Sequence, residues 1–168
     1  MSLKENRSRR KFKKGSEPSI GKKCTGFLHF CVQKHAARHL HYDFRLEYRG
    51  ILLSWTVPKG PSMDPKIKRL AIKVEDHPLD YQSFEGVIPK GNYGAGTVKI
   101  WDRGFYSSPG TTEPKKVEKI LSQGLKKGHF TIILKGKKMK GEFIFQKIKT
   151  DKDNTWLLIK KADEYASS

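Results

Sequence analysis

Leu40-His41-Tyr42-Asp43-Phe44-Arg45-Leu46-Glu47-Tyr48 alternates without a break. Leu40, Tyr42, Phe44, Leu46 and Tyr48 form one row, and His41, Asp43, Arg45 and Glu47 the other. That is the period-two pattern of a strand with one apolar face. Arg49-Gly50 is a two-residue turn signal, and Ile51–Val57 returns as a more buried strand, so the stretch predicts a β-hairpin. Residues 27–32, 69–74, 97–101, 130–134, 142–148 and 155–160 read as further short strands, with Asp102-Arg103-Gly104 as a turn after the third of them.

One helix is predicted. Thr112 is its expected N-cap and Pro114 lies in its first turn. Val117, Ile120, Leu121 and Leu125 form an apolar stripe, and Gly128 ends it. Residues 75–96, with Pro78, Pro89 and four glycines, read as a long structured loop of the kind that carries function. Short strands in serial order with one main helix predict a mainly β fold, a compact antiparallel β-barrel with one or two flanking short helices. The expected organisation is a basic N-terminal arm over 1–23, the barrel over 24–163, and a short tail over 164–168.

The 168 residues carry 35 Lys and Arg against 17 Asp and Glu, a formal net charge of +18. They are 36% hydrophobic and 11% aromatic, enough to build a core. The apolar runs are too short to span a bilayer, and no apolar stretch follows the charged N-terminus, so a cytoplasmic, non-membrane protein is expected. The charge favours an anionic partner, nucleic acid first, and leaves open whether the protein binds or cuts it. Nine Lys and Arg face two acidic residues in 1–23. Cys24 and Cys31 lack the tight spacing of a thiolate zinc site and read as reduced thiols.

The polar row of the 40–48 strand carries the chemistry. His41, Asp43 and Arg45 follow one another at i, i+2 positions, about 7 Å apart. His35 lies across a turn and could swing back. Two imidazoles and a carboxylate suit a divalent transition metal, with open positions for water and a phosphate oxygen, and Arg45 could grip a second oxygen. Spacing leaves a plainer reading open: a polar strand face with an Asp43–Arg45 ion pair and surface histidines. His39 precedes the regular alternation and is given no role. His77 and Tyr81, in Glu75-Asp76-His77-Pro78-Leu79-Asp80-Tyr81, could present to a cleft or serve a local turn. Gly91-Asn92-Tyr93-Gly94-Ala95-Gly96 has no following Lys-Ser/Thr and leads into a strand, so it is not a phosphate-binding P-loop.

Longer motifs stand in a definite order. Phe30 through Glu47 (FCVQKHAARHLHYDFRLE) comes first, then Ser54-Trp55 and Val57-Pro58-Lys59-Gly60-Pro61-Ser62, then Arg69-Leu70-Ala71. Val74 through Tyr81 (VEDHPLDY), Phe84 through Pro89 (FEGVIP), Gly91 through Val98 (GNYGAGTV), Trp101-Asp102-Arg103-Gly104 and Trp156 through Lys160 (WLLIK) follow. From about residue 27 to 161 this closely resembles the 3′-phosphoesterase domain of bacterial DNA ligase D. The resemblance implies a manganese-dependent β-barrel enzyme of DNA break repair, Co2+ or Zn2+ being possible substitutes. Such enzymes remove 3′-terminal ribonucleosides from primer-template ends. They then remove the 3′-phosphate, leaving a 3′-OH for a ligase or polymerase.

By that resemblance His35, His41 and Asp43 match metal ligands. Arg45, Arg69, His77 and Tyr81 match residues that contact the scissile phosphate or support catalysis, and Gln33 and Lys59 match residues lining the site. In the N-terminal arm, Arg10 and Glu17 match, while Lys11 stands where the family often has Asp. The sequence holds no ligase or polymerase module, so the resemblance implies a stand-alone phosphoesterase handing its product to separate end-joining partners. The rival expectation is a non-catalytic basic barrel that binds nucleic acid. A third is the same metal chemistry directed at RNA or a small phosphorylated molecule.

Overall fold

The computed structural model describes residues 26–92 and 94–168. Its strands are β1 (Leu28–Ala36), β2 (Leu40–Tyr48), β3 (Ile51–Val57), β4 (Lys68–Pro78), β5 (Gly86–Ile88), β6 (Gly96–Ser107), β7 (His129–Lys135), β8 (Lys140–Lys147) and β9 (Thr155–Lys160). A 3-10 turn, Leu79–Ser83, follows β4, and the helix α1 (Pro114–Lys127) joins β6 to β7. All pairings are antiparallel, in the order β1-β2-β3-β4-β9-β8-β7-β6, and β1 also pairs with β6, which closes eight strands into a barrel. β5 is an added strand on β6. The mainly β barrel expected from the alternation is the observed fold.

The β2–β3 hairpin turns on Arg49 and Gly50, at φ 48° and 84°. Positive φ at both positions matches the twist of the flanking strands, and Gly50 adopts it at no steric cost. From this turn outward the pairing is fixed: Glu47 faces Leu52, Arg45 faces Ser54, and Asp43 faces Thr56. Phe44, Leu46, Leu53, Trp55 and Val57 then point into the barrel. There Trp55, Phe130, Phe145 and Trp156 meet with ring centroids 4.6 to 6.5 Å apart. Such aromatic contacts add about 0.5–1.5 kcal/mol per pair to the burial of their area.

The two ends of the barrel differ. α1 closes one end by placing Val117 and Leu121 in the core, and its Glu118 carboxylate accepts the Arg49 N–H at 2.5 Å. The other end receives the residues after β9. There the Ser167 N–H donates to the Met63 carbonyl at 3.0 Å, and the Asp163 carboxylate accepts the Glu142 N–H at 2.9 Å.

Several sequence expectations change. The α1 N-cap is Glu113, not Thr112, and Thr111 Oγ1 accepts its N–H at 3.2 Å. Ile120 is 39% exposed, because the buried stripe is narrower and runs through Val117, Leu121 and Gly124. Gly128 ends the helix as expected, in the left-handed region. β1 runs on to Ala36 and β4 to Pro78, so His35 and His77 stand on strands. Asp102-Arg103-Gly104 does not turn the chain, and β6 passes through it. Gly104 is required because the Lys135 carbonyl occupies the space a Cβ would need. The buried Asp102 carboxylate instead receives another turn, accepting N–H groups of Lys137, Lys138 and Met139 at 2.8, 3.1 and 2.7 Å.

Tyr106 is buried, and its hydroxyl donates to the Glu47 carbonyl at 2.6 Å. Burial, with nearby Glu118 and Glu47, raises its pKa well above 10.0. The folded state therefore favours the neutral phenol. Its contribution to stability is fully present below the unfolded pKa of about 10 and is lost as pH rises through the higher folded value. Denaturant midpoints measured from pH 8 to 11 should fall in the alkaline limb, and Tyr106→Phe should flatten that fall.

Candidate metal centre

β1 and β2 pair with His35 opposite His41, Gln33 opposite Asp43 and Cys31 opposite Arg45. Residues opposite one another share a face, so His35, His41, Asp43 and Arg45 lie together on the outside of the barrel wall. β3 adds Thr56 and Ser54 to that face, and β4 adds Val74 beside Ser54. His77 reaches it through a bulge. Leu52 to Ser54 on β3 spans two steps, whereas His77 to Val74 on β4 spans three. Without that extra residue His77 would point into the barrel.

His35, His41, Asp43, Arg45, Thr56, Val74 and His77 line a cavity of about 280 Å³, together with Ala37, Tyr81 and Gly94. Asp43 is at its centre. Its Oδ2 lies 3.4 Å from His35 Nδ1 and 3.5 Å from Arg45 Nη2, and its Oδ1 lies 3.4 Å from His41 Nε2. Thr56 Oγ1 donates to Oδ1 at 3.2 Å. Each imidazole is oriented from behind: His35 Nε2–H donates to the Gly94 carbonyl at 2.7 Å, and His41 Nδ1–H to the His39 carbonyl at 3.0 Å. Those bonds keep a proton on the outward nitrogens, so Nδ1 of His35 and Nε2 of His41 face Asp43 and hold the lone pairs whenever the rings are neutral; a proton on either atom is shared with the carboxylate.

The donor set fits a divalent transition metal. One ligand atom from each of His35, His41 and Asp43 lies within 4.8 Å of the others. Ligands about 2.1 Å from an ion stand about 3–4 Å apart. Burial alone would raise the Asp43 carboxyl pKa. The His35 and His41 hydrogen bonds and the Arg45 charge outweigh it and hold the group well below the usual carboxylate range. His41 is raised, chiefly by its hydrogen bond to Asp43. The first shift keeps Asp43 anionic and ready to ligate; the second favours a proton on His41 that a metal must displace.

Arg45 is 3% exposed. Its Nε donates to Gln33 Oε1 at 2.6 Å and its Nη1 to Ser54 Oγ at 2.7 Å. The guanidinium lies 4.8 Å from the Tyr81 ring centroid. With Nη2 turned to Asp43, some of its five donors remain for a bound anion. The His77 ring sits 5.2 Å from Tyr81, and its Nδ1–H donates to the Glu75 carbonyl at 3.0 Å. Ser54 Oγ lies 3.3 Å from the same nitrogen.

Other expected site residues fall elsewhere. Gln33 is fully buried; its Nε2 donates to the Tyr81 and Phe84 carbonyls at 2.8 and 3.1 Å, so it positions Arg45 and does not line the cavity. Arg69 pairs with the core residue Leu158, on the inner face of β4, because the strand runs without a bulge over the five steps from Arg69 to Val74. Lys59 is exposed on the β3–β4 loop. Arg10, Glu17, Lys11 and Cys24 lie outside the described residues. Cys31 has its thiol pushed up to about 12 by burial and supplies no ligand. Ser54 and Thr56 were missed from the sequence, although counting back from Arg49-Gly50 places them opposite Arg45 and Asp43.

Residues 33–147 match the family described as the DNA Ligase D 3′-phosphoesterase domain, a span holding every ligand and cavity residue named above. The chain belongs to this family. It is 48% identical over 173 residues to the Pseudomonas aeruginosa multifunctional non-homologous end joining protein LigD, an alignment covering 99% of this chain and 19% of that protein. To the Mycolicibacterium smegmatis protein of the same description it is 39% identical over 135 residues, covering 80% of this chain and 17% of the relative. A Mycobacterium tuberculosis multifunctional non-homologous end joining DNA repair protein LigD matches at 56% over 79 residues, 47% of this chain and 10% of its own length. This phosphoesterase-domain chain thus spans about a fifth or less of each of these relatives. Among its described residues no helix is long and apolar enough to cross a membrane.

Proposed function

We propose that this phosphoesterase domain heals 3′ ends in a Mn2+-dependent reaction. It removes a 3′-terminal ribonucleoside from a primer-template end, leaving a 3′-phosphate. It then hydrolyses that phosphate to a 3′-OH for a separate ligase or polymerase of end joining in the prokaryotic cytoplasm. The observation that carries this reading is the convergence of His35 Nδ1, His41 Nε2 and the Asp43 carboxylate on one wall of a cavity that also holds Arg45 and His77. Phosphate binding alone needs Lys and Arg; it does not need two tautomer-fixed imidazoles around a carboxylate.

His35, His41 and Asp43 would hold the metal, which when bound supplies Lewis-acid polarisation of the phosphate and of a water. Arg45, fixed by Gln33 and Ser54, turns its remaining N–H groups to the phosphate oxygens as charge develops on them. The Tyr81 ring supports that guanidinium from its face. The Glu75 carbonyl keeps a proton on His77 Nδ1, so Nε2 is the atom that donates one to the leaving sugar oxygen.

A labelled primer-template ending in one ribonucleotide, incubated with and without Mn2+, tests the reading. Only the Mn2+ reaction should show two successive products, first the 3′-phosphate and then the 3′-OH. A strand that is retarded but uncut would mean a non-catalytic basic barrel.

A further inference from the structure

Among the described residues, two groups of lysines are kept apart by the barrel. Those of α1 sit at the end closed by the helix, beside Arg49. His41 sits at the other end of β2, about 26 Å away along a nine-residue strand. The Asp102 carboxylate pins the β7–β8 turn so that exposed Lys137 and Lys138 project at this second end. Lys138 Nζ lies 4.5 Å from the Trp101 ring centroid, and that ring meets Tyr42, the neighbour of His41, at 5.6 Å.

Trp101 is the extra residue of a bulge: β1 pairs Val32 with Asp102 and Gln33 with Ile100. The next pair is Lys34 opposite Lys99, both exposed; Lys34 also stands opposite Tyr42, so this pair shares the face of Tyr42 and lies across the strand from His35. Like charges directly opposite one another destabilise a sheet, and an anion between them relieves this. Among the described residues Lys34, Lys99, Lys137 and Lys138 make no ion pair, and neither do Lys115, Lys119, Lys126 and Lys127 of α1, so their distance from the cavity is what separates the two groups.

We infer that the phosphate backbone of the nucleic acid whose 3′ end enters the cavity passes from it round the β1–β2 turn at Ala37, meets Lys34 and Lys99 on the other face of β1, and continues to the Lys137–Lys138 turn. The lysines of α1 take no part. The inference rests on the nucleic-acid reading of the site and assigns the surface that holds the strand.

The test uses the full chain and a fluorescent primer-template with a 3′-OH end, its binding followed by anisotropy from about 50 to 300 mM salt. Lys99→Ala with Lys138→Ala should weaken binding about tenfold or more at low salt and make the log K against log salt slope shallower by about two. Lys115→Ala with Lys119→Ala should leave the slope unchanged. Lys99→Ala alone should melt no lower than wild type, since it removes one of two opposed charges, and the double variant should hydrolyse bis(p-nitrophenyl) phosphate with Mn2+ at the wild-type rate. Equal slope changes in both variants, or an unchanged slope in the first, would overturn the inference, as would a parallel loss of the small-substrate reaction. Wild-type protein that binds the duplex with this lysine pattern yet cuts no 3′ end would support the surface and defeat the enzymatic reading instead.

Discussion

Asp43→Asn should lower Mn2+-dependent hydrolysis of a 3′-phosphate primer by about 10³-fold or more, equivalent to about 4 kcal/mol of barrier. The substitution keeps the shape of the side chain and removes the one carboxylate that faces His35, His41 and Arg45 together. An amide has one oxygen to offer in place of two, and its NH2 would point toward an imidazole lone pair or the guanidinium. Manganese binding followed by calorimetry should be lost in parallel. The barrel should survive at a lower melting temperature, because Arg45 is left buried with its charge less compensated, at a cost of about 3 kcal/mol. A variant that kept activity within tenfold of wild type would remove Asp43 from the reaction.

Gln33→Ala should lower kcat about 10²-fold with little change in KM, an effect of position and not of contact. Gln33 is fully buried, with Arg45 on one end of its amide and the Tyr81 and Phe84 carbonyls on the other. Its loss strands the Arg45 Nε–H and opens the link between β1 and the segment that carries Tyr81. Stability should fall by about 2–4 kcal/mol, read from urea unfolding. A substrate contact would behave differently, raising KM and leaving the urea midpoint in place.

The first part of the centre was legible in one strand. Strict alternation from Leu40 to Tyr48 put His41, Asp43 and Arg45 on a common face, and Arg49-Gly50 defined which residues of Ile51–Val57 lie across from them. What alternation left open was the surroundings of that face. A polar row ordinarily meets water, yet Asp43 and Arg45 are buried here because the 3-10 turn and the loop carrying Gly94 cover them. His77 was the reverse case. Its motif was visible, but only the bulge between Leu52 and Ser54 turns it into the cavity. Asp102-Arg103-Gly104 read as a turn from composition and runs straight, because its turn-forming groups serve the β7–β8 turn instead.

Period-two patterning and turn chemistry act between chain neighbours, so the strands, the hairpin register, the helix stripe and the family motifs could be read from residue order. Closure of the barrel through β1 and β6, the bulges at Trp101 and before His77, and the carbonyls that set the tautomers of His35 and His41 are different. The closure and the bulges depend on backbones far apart in the chain meeting at hydrogen-bond distance, as does the Gly94 carbonyl behind His35. The His39 carbonyl reaches its neighbour His41 only through the fold of the β1–β2 turn. Tertiary structure therefore decided that two histidines and an aspartate on adjacent strands converge on one cavity as a candidate metal centre and do not spread over a polar surface.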